Sequence, residues 1–161
     1  MTDVNQRISD LGLVIPDAPA PAANYLSYTI SGNTLYISGN LPFVDGKLPQ
    51  TGKVGAEVTP EEANALARLC GINLISQMKA ALDGDLNRVS RILKLGGFVA
   101  SDPSFTGQPG VINGCSDLMV EVFGEAGRHA RSAVASPVLP LDTPVEIDAI
   151  VEITTTDCSC C

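Results

Sequence analysis

The sequence is poor in aromatic residues and in positive charge. Its 161 residues include no Trp and a single His, and aromatic residues make up 4% of the chain. A His-rich metal site is therefore excluded, and an aromatic platform for stacking nucleic-acid bases is disfavoured. The 18 acidic residues outnumber the 10 Lys and Arg residues and give a net charge of −8. The nearest approach to a basic cluster, Arg88, Arg91 and Lys94, is typical of a solvated rim. We therefore expect no nucleic-acid partner, because an acidic chain without a basic patch repels phosphate.

Long apolar runs are also missing. No run approaches the roughly 18 residues that a membrane span requires. The first ten residues are polar and lack the apolar segment of a signal peptide. We therefore expect a cytoplasmic protein with no membrane partner.

The five cysteines do not fit a disulfide framework, because their number is odd and the chain is expected to be cytoplasmic. Cys70 and Cys115 fall in predicted helices, where buried thiols are common. The other three crowd the end of the chain: Cys158, Cys160 and Cys161. Thiolates bind soft metals, but terminal residues usually fray. We predict a mobile tail over residues 154–161 and no metal site.

The remaining composition favours one domain with a substantial core. Hydrophobic residues make up 45% of the chain, mostly as Ala, Val, Leu and Ile. Residues 1–21 are expected to form a short helix and a Pro-rich arm, and residues 22–153 the domain proper. Hydrophobic periodicity predicts the order β-β-α-β-α-β-β for the domain. The predicted strands span 25–30, 34–38, 89–100, 130–137 and 145–153, and the predicted helices span 59–82 and 111–122.

Two local signals support this order. Thr59-Pro60-Glu61-Glu62 can form a capping box at the start of the first long helix. Residues 145–153 alternate apolar and acidic side chains, as a strand with one buried face does. The prediction is an α+β fold in which both long helices cover one face of a mixed sheet. The pair Gly96-Gly97 indicates a bulge or a close backbone approach.

The C-terminal segment carries the most specific motif. Ala130-Arg131-Ser132 is followed by Leu139-Pro140 and then by Val145-Glu146-Ile147-Asp148-Ala149. Three upstream pieces occur in a matching order: Asn24-Tyr25, Ile37-Ser38-Gly39-Asn40-Leu41-Pro42 and Val111-Ile112-Asn113. Across residues 22–153 the chain thus resembles the YjgF/Rid (reactive intermediate deaminase) family, also known as endoribonuclease L-PSP-like.

The resemblance implies a chorismate-mutase-like fold and a homotrimer with three clefts between subunits. It implies hydrolysis of reactive enamine or imine acids, such as 2-iminopropionate, to 2-keto acids and ammonia, with no cofactor. Arg131 matches the carboxylate-binding arginine, and Glu146 matches the acidic residue near the reactive water, so both are expected to be catalytic. The expected partner is a small carboxylate-bearing metabolite. The expected substrate-binding residues are Tyr25, Ser38, Gly39, Asn113, Arg131 and Ala133.

Each of these residues also has a purely structural interpretation. Arg131 is alternatively an interface ion pair, and Glu146 a solvated charge at a sheet edge. Tyr25 is alternatively a packed ring, and Asn113 a hydrogen-bonding residue at a helix start. His129 lies near Arg131 in sequence, and we interpret it as a surface or turn residue.

The chain departs from the family pattern in ways that leave its activity open. Members of the family often have Cys where this chain has Ala133, so thiol chemistry is lost while the backbone carbonyl can still hold a water. The N-terminal arm and the loop at 101–110 also look longer, which indicates a divergent branch. One alternative is a trimeric module that binds a small carboxylate without turnover. A further one, ribonuclease or translation inhibition, is disfavoured by the acidic charge, the few aromatics and the lone His.

Overall fold

The structure is a computed structural model that describes residues 3–20 and 24–155 of the chain. Cys158, Cys160 and Cys161 lie outside the described residues, as does most of the predicted mobile tail. The helices are α1 (Val4–Asp10), α2 (Pro60–Ala81) and α3 (Gln108–Phe123). The strands are β1 (Tyr28–Ser31), β2 (Thr34–Asn40), β3 (Val89–Ala100), β4 (Ala130–Ser136) and β5 (Val145–Ile153).

The five strands form one mixed sheet in the order β1-β2-β5-β3-β4. All neighbouring strands are antiparallel except β3 and β4, which run parallel. A parallel pair needs a long crossover, and α3 supplies it here. The element order and the α+β class that the sequence predicts are both confirmed.

The first long helix begins where the sequence predicts. The Thr59 hydroxyl accepts a hydrogen bond from the Glu62 backbone N–H, and the Glu62 carboxylate accepts one from the Thr59 backbone N–H. Pro60 occupies the first turn, where its missing N–H costs nothing. This reciprocal cap fixes the start of α2 and with it the face that the helix buries.

Strand β5 separates the core from the open face of the sheet. Its odd-numbered residues from Val145 to Ile153 are all buried, whereas its even-numbered residues remain partly exposed. The buried side faces α2 and α3, so the two long helices cover one face as predicted. Cys70 and Cys115 are fully buried in that core, which confirms their interpretation as core thiols.

Helices α2 and α3 approach each other closely at two glycines. A Cβ on Gly71 would lie 2.8 Å from Leu118 Cδ2 and 3.1 Å from Cys115 Sγ. A Cβ on Gly114 would lie 2.0 Å from the Asn64 carbonyl oxygen. The backbones therefore meet at a distance that only glycine permits at position 114.

Two element starts differ from the prediction. β1 begins at Tyr28 rather than at 25, because the β1–β2 ladder ends at the pair Tyr28 and Ile37, beside a register shift in β2. α3 begins at Gln108 because Pro109 is tolerated in the first turn of a helix. Asn113 therefore lies inside α3, and its interpretation as a helix-start residue is wrong.

The glycine pair of β3 marks a close approach and not a bulge. The register shifts of β3 lie between Val89 and Arg91 and between Ile92 and Lys94, before the pair. At the pair itself the ladder is regular, but the space around it is filled. A Cβ on Gly97 would lie 2.7 Å from Ile112 Cδ1 of α3.

We expect Gly114→Ala to destabilise the protein by about 2–3 kcal/mol, since backbone atoms cannot move aside as a flexible side chain can. The melting temperature should fall by about 4–12 °C. Gly110→Ala in the same helix is the matched control, because no atom lies within 4 Å of the added Cβ. That variant should be neutral or stabilising by up to about 1 kcal/mol. Equal melting temperatures for the two variants would contradict the close helix contact.

Candidate functional site

Arg131 lies on the edge strand β4, on the face of the sheet that the helices cover. It pairs with Leu95 of β3, whose side chain is buried under the helices. Its Nη1 donates to Ser116 Oγ and its Nη2 donates to the Pro109 carbonyl oxygen, both over 3.2 Å. Among the described residues no carboxylate forms an ion pair with Arg131. The guanidinium is thus held by two neutral groups of α3 and keeps donors available for an anion.

A hydrogen-bonded chain behind Arg131 fixes the position of its guanidinium. His129 Nδ1 lies 2.6 Å from the Gly127 carbonyl oxygen, which can only accept, so Nδ1 carries a proton. His129 Nε2 lies 3.0 Å from Ser116 Oγ. Because Ser116 Oγ accepts from Arg131, its own hydroxyl proton points at Nε2 in the neutral imidazole. His129 lies in the connection between α3 and β4, in keeping with its interpretation as a surface or turn residue, and it is half-buried and hydrogen-bonded.

Ser116 is a residue that sequence reasoning missed. It lies three positions after Asn113 and seven after Pro109, a spacing that places all three on one side of α3. The helical periodicity of α3 could have identified this polar side, because Asn113 and Ser116 are three residues apart and both lie outside the apolar stripe. Ala133 lies two residues beyond Arg131 on the same side of β4 and is half-buried. We call Pro109, Asn113, Ser116, Arg131 and Ala133 the arginine half.

Glu146 lies on the opposite, open face of the sheet. It pairs with Phe98 of β3, and its carboxylate rests against the backbone of β2. A Cβ on Gly39 would lie 2.1 Å from Glu146 Oε1. Only glycine therefore allows the carboxylate to occupy this place.

Ser38 and Tyr25 lie beside Gly39. The Ser38 hydroxyl donates to the Leu26 carbonyl oxygen over 2.7 Å, and the Ser38 N–H donates to the Ser27 carbonyl oxygen over 2.9 Å. These bonds hold the segment after Tyr25 against the bulged end of β2. Tyr25, Ser38 and Gly39 line one cavity. We call Tyr25, Ser38, Gly39 and Glu146 the carboxylate half.

The site residues predicted from the sequence thus lie in two separate places within one chain. Arg131 lies on the edge strand β4 and on the helix side of the sheet, whereas Glu146 lies on the central strand β5 and on the open side. The sheet itself separates the two side chains.

The electrostatics of the open face are dominated by two carboxyl groups. Burial, with the charge of Asp148 as the second cause, raises the pKa of Glu146. Burial also raises the pKa of Asp148, against the opposing effects of the Gly96 N–H and the charge of Lys94. A Cβ on Gly96 would lie 2.4 Å from Asp148 Oδ1, so the Asp148 carboxyl, like that of Glu146, occupies space that only a glycine leaves open.

The buried thiols have the opposite chemistry from a reactive cysteine. Burial raises the pKa of Cys115 to about 12, and the nearby Arg131 charge only partly opposes the shift. Burial also raises the pKa of Cys70, with the charges of Cys115 and Glu146 adding to it.

Within residues 3–20 and 24–155, no three His, Cys, Asp or Glu side chains are grouped so that they could hold a metal ion. No helix in the described part of the chain is both long and apolar enough to cross a membrane.

The raised carboxyl pKa values give a signed prediction for stability against pH. The folded state binds protons at Glu146 more tightly than the unfolded state does, so stability from this group is fully present at acid pH. It is lost as the pH rises from the ordinary carboxyl range through the raised pKa. Glu146→Gln should therefore raise the melting temperature near pH 7 by about 1–2 °C, which corresponds to roughly 0.5 kcal/mol after solvent screening.

The gain from Glu146→Gln should vanish as the buffer approaches about pH 4, where the wild-type carboxyl is protonated. Melting curves at several pH values measure this directly. Glu152→Gln is the matched control on the same face of β5, because it removes a charge and leaves the Glu146–Asp148 pair intact. A gain that grows on acidification would contradict the sign derived from the raised pKa.

Comparisons with known proteins agree with this architecture. The family model described as 'YjgF/chorismate mutase-like, putative endoribonuclease' matches residues 5–153. The protein TCP17 of Trypanosoma cruzi is 51% identical over 151 residues, which cover 93% of this chain and 94% of TCP17.

Solved structures show the same relationship. The crystal structure of Atu1372 from Agrobacterium tumefaciens, a protein of unknown function, is 51% identical with a TM-score of 0.88, and the match covers 94% of this chain and 92% of that one. RidA from Psychrobacter sp. PAMC 21119 is 31% identical with a TM-score of 0.56, and the match covers 85% and 94% of the two chains. The greater identity to TCP17 and Atu1372 sets this chain in a branch apart from RidA. The five-stranded mixed sheet, its two covering helices and these matches together identify the chain as a member of the YjgF/chorismate-mutase-like family.

Proposed function

We propose that this protein hydrolyses 2-imino acids to 2-keto acids and ammonia in a cleft shared by two subunits of a homotrimer. The observation that carries the proposal is the state of Arg131. Its guanidinium is half-buried, it is oriented by neutral acceptors, and it has no carboxylate partner among the described residues. A positioned and unneutralised arginine is suited to binding a carboxylate bidentately.

Because imines hydrolyse readily, the protein needs only to position the substrate and to transfer protons. The carboxylate of the substrate binds Arg131, and this fixes the neighbouring imine carbon in the cleft. A water oxygen attacks that carbon, the C=N electron pair moves to nitrogen, and a carbinolamine forms. Nitrogen takes up one water proton as the carbinolamine forms. The hydroxyl proton then also passes to nitrogen while the C–N bond breaks and the C=O bond forms, and ammonia leaves.

Glu146 is the proposed proton carrier. It takes a proton from the attacking water and returns one to the leaving nitrogen. Its raised pKa supports this role, because a carboxyl group whose pKa lies nearer neutrality exchanges protons more readily in both directions. The Ala133 carbonyl and the Gly39 backbone are the proposed contacts for the water and the substrate, while Ser38, whose donors bond Ser27 and Leu26, holds Gly39 in place.

A homotrimer would unite the two halves. The open face of the sheet exposes apolar side chains, Tyr36 by 44%, Phe98 by 37% and Val134 by 47%. When a neighbouring subunit covers these apolar side chains, their removal from water stabilises the assembly. In a closed ring, each cleft takes the arginine half from one subunit and the carboxylate half from the next.

A second candidate is carboxylate binding without turnover. The arginine half lies entirely within one chain, so it can hold an anion without any contribution from Glu146. Stabilisation of the protein by a 2-keto acid, together with no release of ammonia from any imine, would favour this alternative.

We expect Arg131→Ala to abolish ligand binding while folding and trimer assembly persist. The variant loses a charge-assisted bidentate pair, worth roughly 2–5 kcal/mol of binding when desolvated. Arg131→Lys should fail largely as well, since an ammonium keeps the charge but loses the planar fork. An amino-acid oxidase generates the imine, and its decay is followed together with the melting temperature of each variant.

Arg128→Ala is the matched control for Arg131→Ala. Arg128 is exposed, and within the described part of the chain its side chain pairs only with Glu125, three residues before it. It should retain full activity and nearly full stability. A large drop in melting temperature for Arg131→Ala with ligand affinity retained would show that Arg131 is structural.

Mixed trimers test whether the cleft is shared. Arg131→Ala and Glu146→Gln should each be inactive alone. Because every mixed ring contains one cleft with both halves intact, co-expression in equal amounts should restore about a quarter of wild-type activity. The measurement is imine decay per subunit in the purified mixture.

The control for the mixed trimers pairs two variants of the same half, Glu146→Gln with Gly39→Ala. The second displaces the Glu146 carboxylate, whose oxygen would lie 2.1 Å from the new Cβ. No ring of these two chains contains an intact carboxylate half, so activity should stay absent. Absence of rescue in the first mixture as well would rule out a cleft divided between subunits.

A further inference from the structure

A cavity of about 440 Å³ lies between the N-terminal arm, the end of β2 and helix α2. Its volume falls within the range of small-molecule sites. We call it the arm cavity. It shares Tyr25, Ser38 and Gly39 with the carboxylate half, so a ligand in the proposed cleft can extend into it.

The walls of the arm cavity are held by specific hydrogen bonds. The Ser76 hydroxyl donates to the Pro16 carbonyl oxygen over 2.7 Å and ties the arm to α2. Asn73 Nδ2 donates to the carbonyl oxygens of Leu41 over 2.8 Å and of Phe43 over 3.1 Å. Two neighbouring turns of one helix therefore hold both the arm and the loop after β2, and the cavity between them is a built feature.

Gln77 presents to this cavity an amide that has no hydrogen-bond partner among the described residues. It lies one turn after Asn73, lines the cavity and is only 4% exposed. Its side chain makes no hydrogen bond to any residue in 3–20 or 24–155, although Asn73 and Ser76 beside it are both bonded. Since no fully buried side-chain nitrogen or oxygen of the described residues lacks a partner, this amide reaches the cavity, where it can hydrogen-bond to solvent or to a ligand.

The charges around the cavity restrict what the ligand can be. Asp45 lines it and forms no salt bridge among the described residues, whereas Asp17, which also lines it, is exposed and pairs with Lys79 over 3.6 Å; the described lining includes no Lys, Arg or His. A second carboxylate on the ligand would therefore be repelled. Apolar surface from Pro16, Leu41 and Phe43 suits an aliphatic stem.

We propose that the arm cavity receives the side chain of the substrate and that Gln77 binds its terminal group. The favoured substrates are 2-imino acids whose side chain has an aliphatic stem and ends in a hydrogen-bond donor, an amide or a cation. Small and acidic 2-imino acids are disfavoured. This inference rests on the proposed function, because the substrate must first be anchored by Arg131.

Stable analogues test the inference without requiring turnover. Oximes of 2-keto acids keep the C=N bond and the carboxylate, and four of them carry the side chains of glutamine, arginine, leucine and glutamate. Calorimetric titration of the whole chain measures each affinity. The glutamine and arginine types should bind about tenfold more tightly than the leucine type, with the glutamate type weakest.

Gln77→Met removes the amide and keeps the length of the side chain. The ratio of glutamine-type to leucine-type affinity should fall from about ten to about one. Gln50→Met is the control, because Gln50 pairs with Glu62 far from the cavity and should leave the ratio unchanged. Melting curves of both variants verify the fold. If Gln77→Met does not fold, the ranking of the four oximes on the wild-type chain decides.

The two hypotheses fail in different ways. Arg131→Ala should weaken all four oximes alike, whereas Gln77→Met should change only their ranking. Binding that needs Arg131 but shows no preference among side chains, or a preference that Gln77→Met leaves intact, overturns the inference and spares the proposed function. Binding that is absent, or that is unaffected by Arg131→Ala, overturns both.

Discussion

The alternation of side chains along β5 is the constraint on which the rest of the molecule depends. Because successive residues of a strand point to opposite faces, Val145 and Ile147 enter the core while Glu146 and Asp148 lie on the open face. β5 is also the middle strand of the sheet, with antiparallel neighbours on both sides. A shift of its register by one residue would bury the carboxylates under the helices and expose the core. The same strand therefore fixes both the hydrophobic core and the acidic surface.

Glycines allow those carboxylates to lie close to the sheet. Gly39 lies against the Glu146 carboxylate and Gly96 against the Asp148 carboxylate. A Cβ at either glycine would overlap a carboxylate oxygen. The carboxyl groups are thereby drawn out of water, and their pKa values rise. At neutral pH the ionised carboxylates therefore lower the stability of the folded protein. Carboxyl pKa values shifted in this way are characteristic of functional sites.

The arginine half follows a different logic. Arg131 is placed by an edge strand and by α3, and the chain through Ser116 and His129 to Gly127 limits its movement. Its hydrogen-bond partners are neutral, and no carboxylate of the described residues neutralises its charge. In the proposed trimer this charge would face the acidic carboxylate half of a neighbour. The substrate carboxylate would then bind on the arginine side of the cleft, away from the Glu146 carboxyl group.

Local patterns in the sequence determined much of this protein. The capping box at Thr59, the alternation from Val145 to Ile153 and the helical stripes set the element order, because each depends on residues close together in the chain. The motif around Arg131 and Glu146 identified the family for the same reason. The tertiary structure decided what depends on other parts of the chain: the separation of Arg131 from Glu146 by the sheet, the bond from His129 to Ser116, and the Gln77 amide, which has no hydrogen-bond partner in the part of the chain that the structure describes. No local pattern encodes these features, since each arises where segments far apart in sequence pack against one another.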